Sequence, residues 1–120
     1  MDWLRRFVAT PPDDLILLTG EGLTRLLTLA AREGLDEDFR RRLAEVRTVV
    51  RGPKPTAKLR PIGLLPGITA GTPTTEGAIE TLRHEAMRGR RVGVQLYPDN
   101  PNAPLIDFLR EAGAEPARRC

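Results

Sequence analysis

Asp13-Asp14-Leu15-Ile16-Leu17-Leu18-Thr19-Gly20-Glu21-Gly22-Leu23, continued through Leu26, Leu27 and Ala30 to Gly34, is the stretch that decides the fold. An unbroken apolar run, Leu15-Ile16-Leu17-Leu18, reads as a strand over residues 15–19, short enough to be buried on both faces. Gly20 and Gly22 make the turn. From Leu23 the apolar positions recur at the spacing of an amphipathic helix, and Gly34 ends it. The same unit recurs along the chain. Val46 to Arg51 leads into Gly52-Pro53-Lys54-Pro55, Gly67 to Ala70 into Thr74-Thr75-Glu76-Gly77, and Val92 to Tyr97 into Pro98-Asp99-Asn100. Strand alternating with helix implies a doubly wound α/β fold, a single three-layer domain over residues 1–120 with a mostly parallel sheet of four or five strands, flavodoxin-like in layout. In such a sheet the strand exits share one edge, and that edge is where ligands bind.

The remaining segments fit this frame. Residues 1–9 read as a helix stopped by Thr10-Pro11-Pro12, and residues 36–44 as a short helix with Phe39 and Leu43 inward. Pro53 and Pro55 stand at a helix entrance, where a missing N–H does no harm. Ala57, Leu59 and Ile62 would form that helix's buried side, Pro61 would shorten it and Gly63 would stop it. A helix from Glu76 to about Met87, with Ala78, Ile79 and Leu82 inward, would carry His84 near its end. Asn102 is expected to cap a helix over residues 104–112. Gly113-Ala114 has the character of an approach to a further strand, for which the last residues leave no clear run.

The chain has 120 residues, 40% apolar and 29% charged, the balance of a globular domain with an ordinary core. With 4% aromatic residues that core must be aliphatic. A net charge of +3 is too small to argue for nucleic acid, and Arg40-Arg41-Arg42, Arg88 with Arg90-Arg91, and Arg118-Arg119 read as solvated faces. No segment has the length of a signal peptide core or a membrane span. Cys120, the one cysteine, supports neither a disulfide framework nor a metal cluster. The expectation is a cytoplasmic protein with no membrane partner, no metal and no cofactor.

Gly20-Glu21-Gly22 opens a helix after a strand, but the third glycine of a dinucleotide fingerprint falls on Arg25, and no NTPase phosphate loop is present. His84 has no nucleophile or ligand partner at a useful spacing. Glu21 and Glu76 occupy first turns, where a carboxylate complements the helix dipole. More specific are Gly52-Pro53-Lys54-Pro55-Thr56, which sets a cation at a helix entrance, and Thr74-Thr75-Glu76-Gly77, which sets two hydroxyls there. Free amides with Lys and Thr close by suit carboxylates or phosphates. A ligand bearing several carboxylates fits this layout.

Taken in order, Val50-Arg51-Gly52-Pro53-Lys54-Pro55, Leu59 to Leu64, Pro73-Thr74-Thr75-Glu76-Gly77, Gly89-Arg90-Arg91-Val92, Val94-Gln95-Leu96-Tyr97 and Gly113-Ala114 resemble uroporphyrinogen-III synthase, and so does Leu15 to Gly22. The resemblance runs from about Asp2 to Glu115 and is to the family's second α/β domain. It implies a cofactor-free lyase of tetrapyrrole and heme biosynthesis that closes hydroxymethylbilane with inversion of ring D, in a cleft between two domains. By the match, Thr19, Gly52, Lys54, Thr75 and Tyr97 stand nearest the substrate, with Gly20, Thr74 and Gly77 completing the binding set. Tyr97 is the best local candidate for catalysis. Where the family's pattern has Thr after Gly-x-x, this chain has Pro55, with Thr56 next. One domain implies half a cleft, hence little or no synthase activity alone and a partner domain or a second copy at the exposed face. The alternative on the same scaffold is a non-catalytic tetrapyrrole-binding or protein-interaction module.

Overall fold

In a computed structural model of the protein, residues 2–51, 53–72, 74–95 and 103–119 are described. Helix α1 spans Asp2–Ala9, strand β1 Asp14–Leu17, helix α2 Gly20–Arg32, helix α3 Asp36–Glu45 and strand β2 Arg47–Val50. Helix α4, Pro53–Leu59, runs into a 3-10 turn over Arg60–Ile62. Strand β3, Ile68–Thr69, helix α5, Thr75–Leu82, strand β4, Arg91–Gln95, helix α6, Ala103–Glu111, and strand β5, Glu115–Arg119, follow. The five strands form one sheet in the order β3-β2-β1-β4-β5. Every pairing is parallel, with Ile16 opposite Val49 on one side and Val94 on the other. The winding runs outward from β1 through β2 to β3, then crosses back to β4 and β5. The sheet therefore reverses between β1 and β4.

Alternation along β1 divides the core. Leu15 and Leu17 face a cluster that holds Phe7 of α1, Leu23, Leu26 and Ala30 of α2, Phe39 and Leu43 of α3, and Leu59 of α4. Ile16 and Leu18 face the other side, with Val49, Leu82 of α5, Val92, Val94 and Leu105, Ile106 and Leu109 of α6. A central parallel strand is covered on both faces, so all four residues of β1 are buried. Each fully buried aliphatic side chain contributes roughly 1.5–3 kcal/mol relative to exposure. Aliphatic burial on two faces thus supplies most of the driving force, and the buried rings of Phe7 and Phe39 add aromatic bulk to one of them, where the composition implies an aliphatic core.

Local chemistry sets most boundaries. Pro61 cannot donate to a continuing α-helix, so α4 tightens into the 3-10 turn at Arg60. Gly63 then turns the chain at φ 79°, in the left-handed region a side chain resists. Ala57, expected inside, is exposed; Leu59 alone on α4 is fully buried among the side chains described there. Helix α2 begins at Gly20 rather than Leu23, so the two glycines lie in its first turn instead of before it.

Two expectations are corrected. Helix α5 ends at Leu82, not near Met87, and His84 is exposed in the turns that follow. Beyond the helix end Glu85 and Met87 lie against Arg47, at 3.3 Å and 3.7 Å. The further strand after Gly113-Ala114 is present: β5 pairs with β4 from Arg91↔Glu115 to Gln95↔Arg119. Pro116 is compatible with it because β5 is an edge strand bonded on one side only.

Candidate functional site

All strands being parallel, their exits lie along one edge; of the exits that lead into helices, that of β1 falls wholly, and those of β2 and β3 in part, within the described residues. Thr19 caps α2: its backbone is extended (φ −140°, ψ 154°) and Oγ1 accepts the Gly22 amide at 2.9 Å. Thr74 caps α5 in the same manner, extended at φ −131° and ψ 164°, with Oγ1 accepting the Gly77 amide at 2.9 Å. The two helix starts share one pattern, Thr19-Gly20-Glu21-Gly22 and Thr74-Thr75-Glu76-Gly77. In each the cap engages the third amide. Among the described residues the amides of Gly20, Glu21, Thr75 and Glu76 make no hydrogen bond. These donors, at the positive ends of two helix dipoles, are what an anion needs.

Gly77 is glycine for a steric reason. A Cβ there would collide with the hydroxyl and the carbonyl of Thr72. The loop before α5 is tied by Thr74 N–H to the Thr72 carbonyl at 2.9 Å, by the paired Thr72 and Thr74 hydroxyls at 3.2 Å, and by Gly71 N–H to Thr81 Oγ1 at 3.0 Å. Thr74 is exposed and Thr75 half-buried at this edge. Lys54 lies in the first turn of α4, at the exit of β2. Gly52 and Tyr97 lie outside the described residues, as does Asn102.

Arg51 was not among the residues expected at the site from sequence. It follows β2 directly, is half-buried, and donates from Nη1 to Thr75 Oγ1 at 3.2 Å. It thereby links the exits of β2 and β3. The available signal was its place, the first residue past an apolar run on the ligand edge.

The opposite edge of the sheet is built differently. Asp14, with no exposed surface, accepts from Arg47 Nε at 2.6 Å and from Arg90 Nε and Nη2 at 2.7 Å and 2.9 Å. Arg47 also reaches Glu85 at 3.3 Å. Burial pushes the Asp14 carboxyl up, but hydrogen bonds from Arg90 and then Arg47 outweigh it and hold the group below the usual carboxylate range. Arg90 is raised in turn, chiefly by its hydrogen bond to Asp14. A carboxylate so fully paired is poorly suited to proton transfer; it clamps the starts of β1, β2 and β4. The Arg40-Arg41-Arg42 run is engaged locally, with Asp36 at 3.2 Å, Asp38 at 2.6 Å and Glu45 at 3.1 Å.

Among the described residues no group of three or more His, Cys, Asp or Glu could hold a metal ion, and no helix is long and apolar enough to cross a membrane. The carboxyl edge therefore offers amides, hydroxyls and a guanidinium: donors for an anionic ligand.

The wild-type uroporphyrinogen III synthase of Thermus thermophilus superposes on 98% of this chain with a TM-score of 0.80 and 28% identity. A second solved structure of the Thermus thermophilus enzyme covers 99% of the chain at a TM-score of 0.81 and 27% identity. This chain has the fold of one domain of uroporphyrinogen III synthase. It accounts for 43% and 44% of those two synthase chains. In sequence it is 33% identical over 111 residues to the uncharacterised protein YjjA of Bacillus subtilis, a match covering 92% of this chain and 41% of YjjA. The chain thus spans less than half the length of the relatives it matches. No protein-family model matches it.

Proposed function

We propose that this chain supplies one wall of a tetrapyrrole site of the uroporphyrinogen III synthase type, its carboxyl edge holding the acetate and propionate groups of a linear tetrapyrrole. The observation that carries the reading is the pair of Thr-capped helix starts with unengaged amides on the ligand edge of a synthase-like domain. Thr19, Gly20, Gly52, Lys54, Thr74, Thr75 and Gly77 form the binding set. Each donor is weak alone: a charge at an exposed helix start is worth about 0.3–1 kcal/mol. Several carboxylates on one ligand make them act together. In the synthase reaction hydroxymethylbilane closes with inversion of its last ring and loss of water. The protein's part is to fold a flexible substrate until its ends meet, which is catalysis by orientation. Tyr97, which follows β4 in sequence, is the residue proposed to assist departure of the hydroxyl. The ring-closing cleft needs a second wall, from a partner domain or another copy.

Titration with uroporphyrin III, followed by porphyrin fluorescence, and incubation with hydroxymethylbilane test this directly. Saturable binding is expected, with no ring-inverted product above the uncatalysed background. Turnover at an ordinary enzyme rate by the isolated chain would refute the half-cleft, and absence of binding would remove the tetrapyrrole reading. Tetrapyrrole binding that persists without turnover when the second wall is supplied would favour the non-catalytic module.

A further inference from the structure

We infer that Arg51 is the residue that selects carboxylate-bearing ligands at this edge, with Thr75 holding its guanidinium in place. The inference deepens the proposed function and rests on it. Arg51 is half-buried at the exit of β2, and its side chain meets a neutral hydroxyl, Thr75 Oγ1 at 3.2 Å. The other half-buried arginines are matched to acids, Arg42 to Glu45 and Arg47 and Arg90 to Asp14, while Arg6, Arg32, Arg60, Arg88, Arg91 and Arg110, which form no ion pair among the described residues, are exposed. Among the described residues Arg51 has no carboxylate partner. A partly desolvated guanidinium without a counter-charge attracts an anion strongly.

The geometry adds direction. The bond to Thr75 uses Nη1 alone and leaves other guanidinium donors for a carboxylate. Thr75 is also the first residue of α5, so the guanidinium lies beside a helix start with an unengaged amide. A carboxylate bound there would receive donors from β2's exit and α5's start together. Arginine provides a planar fork that lysine cannot reproduce.

The test is uroporphyrin III affinity at several salt concentrations for wild type, R51K and R51Q, with unfolding temperatures of the unliganded proteins as control. R51Q is expected to bind at least about tenfold more weakly, as for loss of a charge-assisted hydrogen bond, with a shallower salt dependence. R51K should fall between the two. Equal affinity of R51Q and wild type overturns the role of Arg51 while leaving the tetrapyrrole reading standing. An equal, salt-independent loss in R51K and R51Q also overturns it, since charge would then be irrelevant. Failure of the wild type to bind removes the tetrapyrrole reading and this inference with it.

Discussion

Replacing Asp14 by asparagine is expected to lower the unfolding free energy by about 3 kcal/mol at neutral pH, the lower end of what breaking a buried ion pair costs. The carboxylate has no exposed surface, whereas the side chains of Arg47 and Arg90 are 28% and 33% exposed. Water can therefore partly rescue the two guanidinium groups, which keeps the loss from being larger. The change would leave three starting strands, β1, β2 and β4, with like charges converging on a neutral group. Urea unfolding of the two proteins measures the difference.

The pH dependence carries its own sign. The Asp14 carboxyl is held below its ordinary value in the folded protein, while the unfolded chain titrates near 3.9. Between those values the unfolded state binds more protons, so stability rises with pH. The contribution is complete above about pH 5 and is lost as pH falls through the unfolded and then the folded value. Wild type should therefore lose stability in acid more steeply than D14N. Parallel curves from neutral to acid pH would show that the clamp is not what the charges of Asp14 provide.

The second large effect is expected at Phe39. The ring has no exposed surface and meets Phe7 of α1 at 5.3 Å between centroids, tilted by 55°. Truncation to alanine should cost about 3–5 kcal/mol, from lost transfer energy and from the cavity left behind. That is a large part of the stability of an ordinary domain, roughly 5–15 kcal/mol. Substitution by leucine fills most of the volume and should cost less than about 1.5 kcal/mol. The comparison separates ring packing from cavity formation. Both changes lie on the α1–α3 side, so tetrapyrrole binding by the folded fraction should be unaffected. A loss of affinity in F39L at full folding would contradict the separation of core and ligand edge.

What could be read from the letters follows from what is local. The apolar run of β1, the periodic stripe of α2, the break at Pro61 and the stop at Gly63 are decided within a few residues, and each stands where expected. The strand exits of a parallel sheet share an edge by topology, so the carboxyl edge was legible before any side chain was placed. Long-range partners were not. Asp14 finds Arg47 and Arg90 33 and 76 residues away, and nothing around Asp14 announces its burial. The turns after the early end of α5 bring Glu85 and Met87 against Arg47, a contact across the fold that the local pattern could not show. Strand β5 reads Glu-Pro-Ala-Arg-Arg, without β-branched residues, and is made a strand by the register of β4. Arg51 was visible as a letter, but its lack of a counter-charge required the partners of every neighbouring arginine.

Amide resonance mapping during titration with uroporphyrin III tests the central claim most directly, because both edges of the sheet report in one experiment. The perturbed amides should be those of residues 19–22, 51, 70–72 and 74–77, with residues 13–14, 47 and 84–91 at the opposite edge unmoved. Shifts concentrated around Asp14 and Arg90, with the Thr19 and Thr75 turns silent, would contradict it.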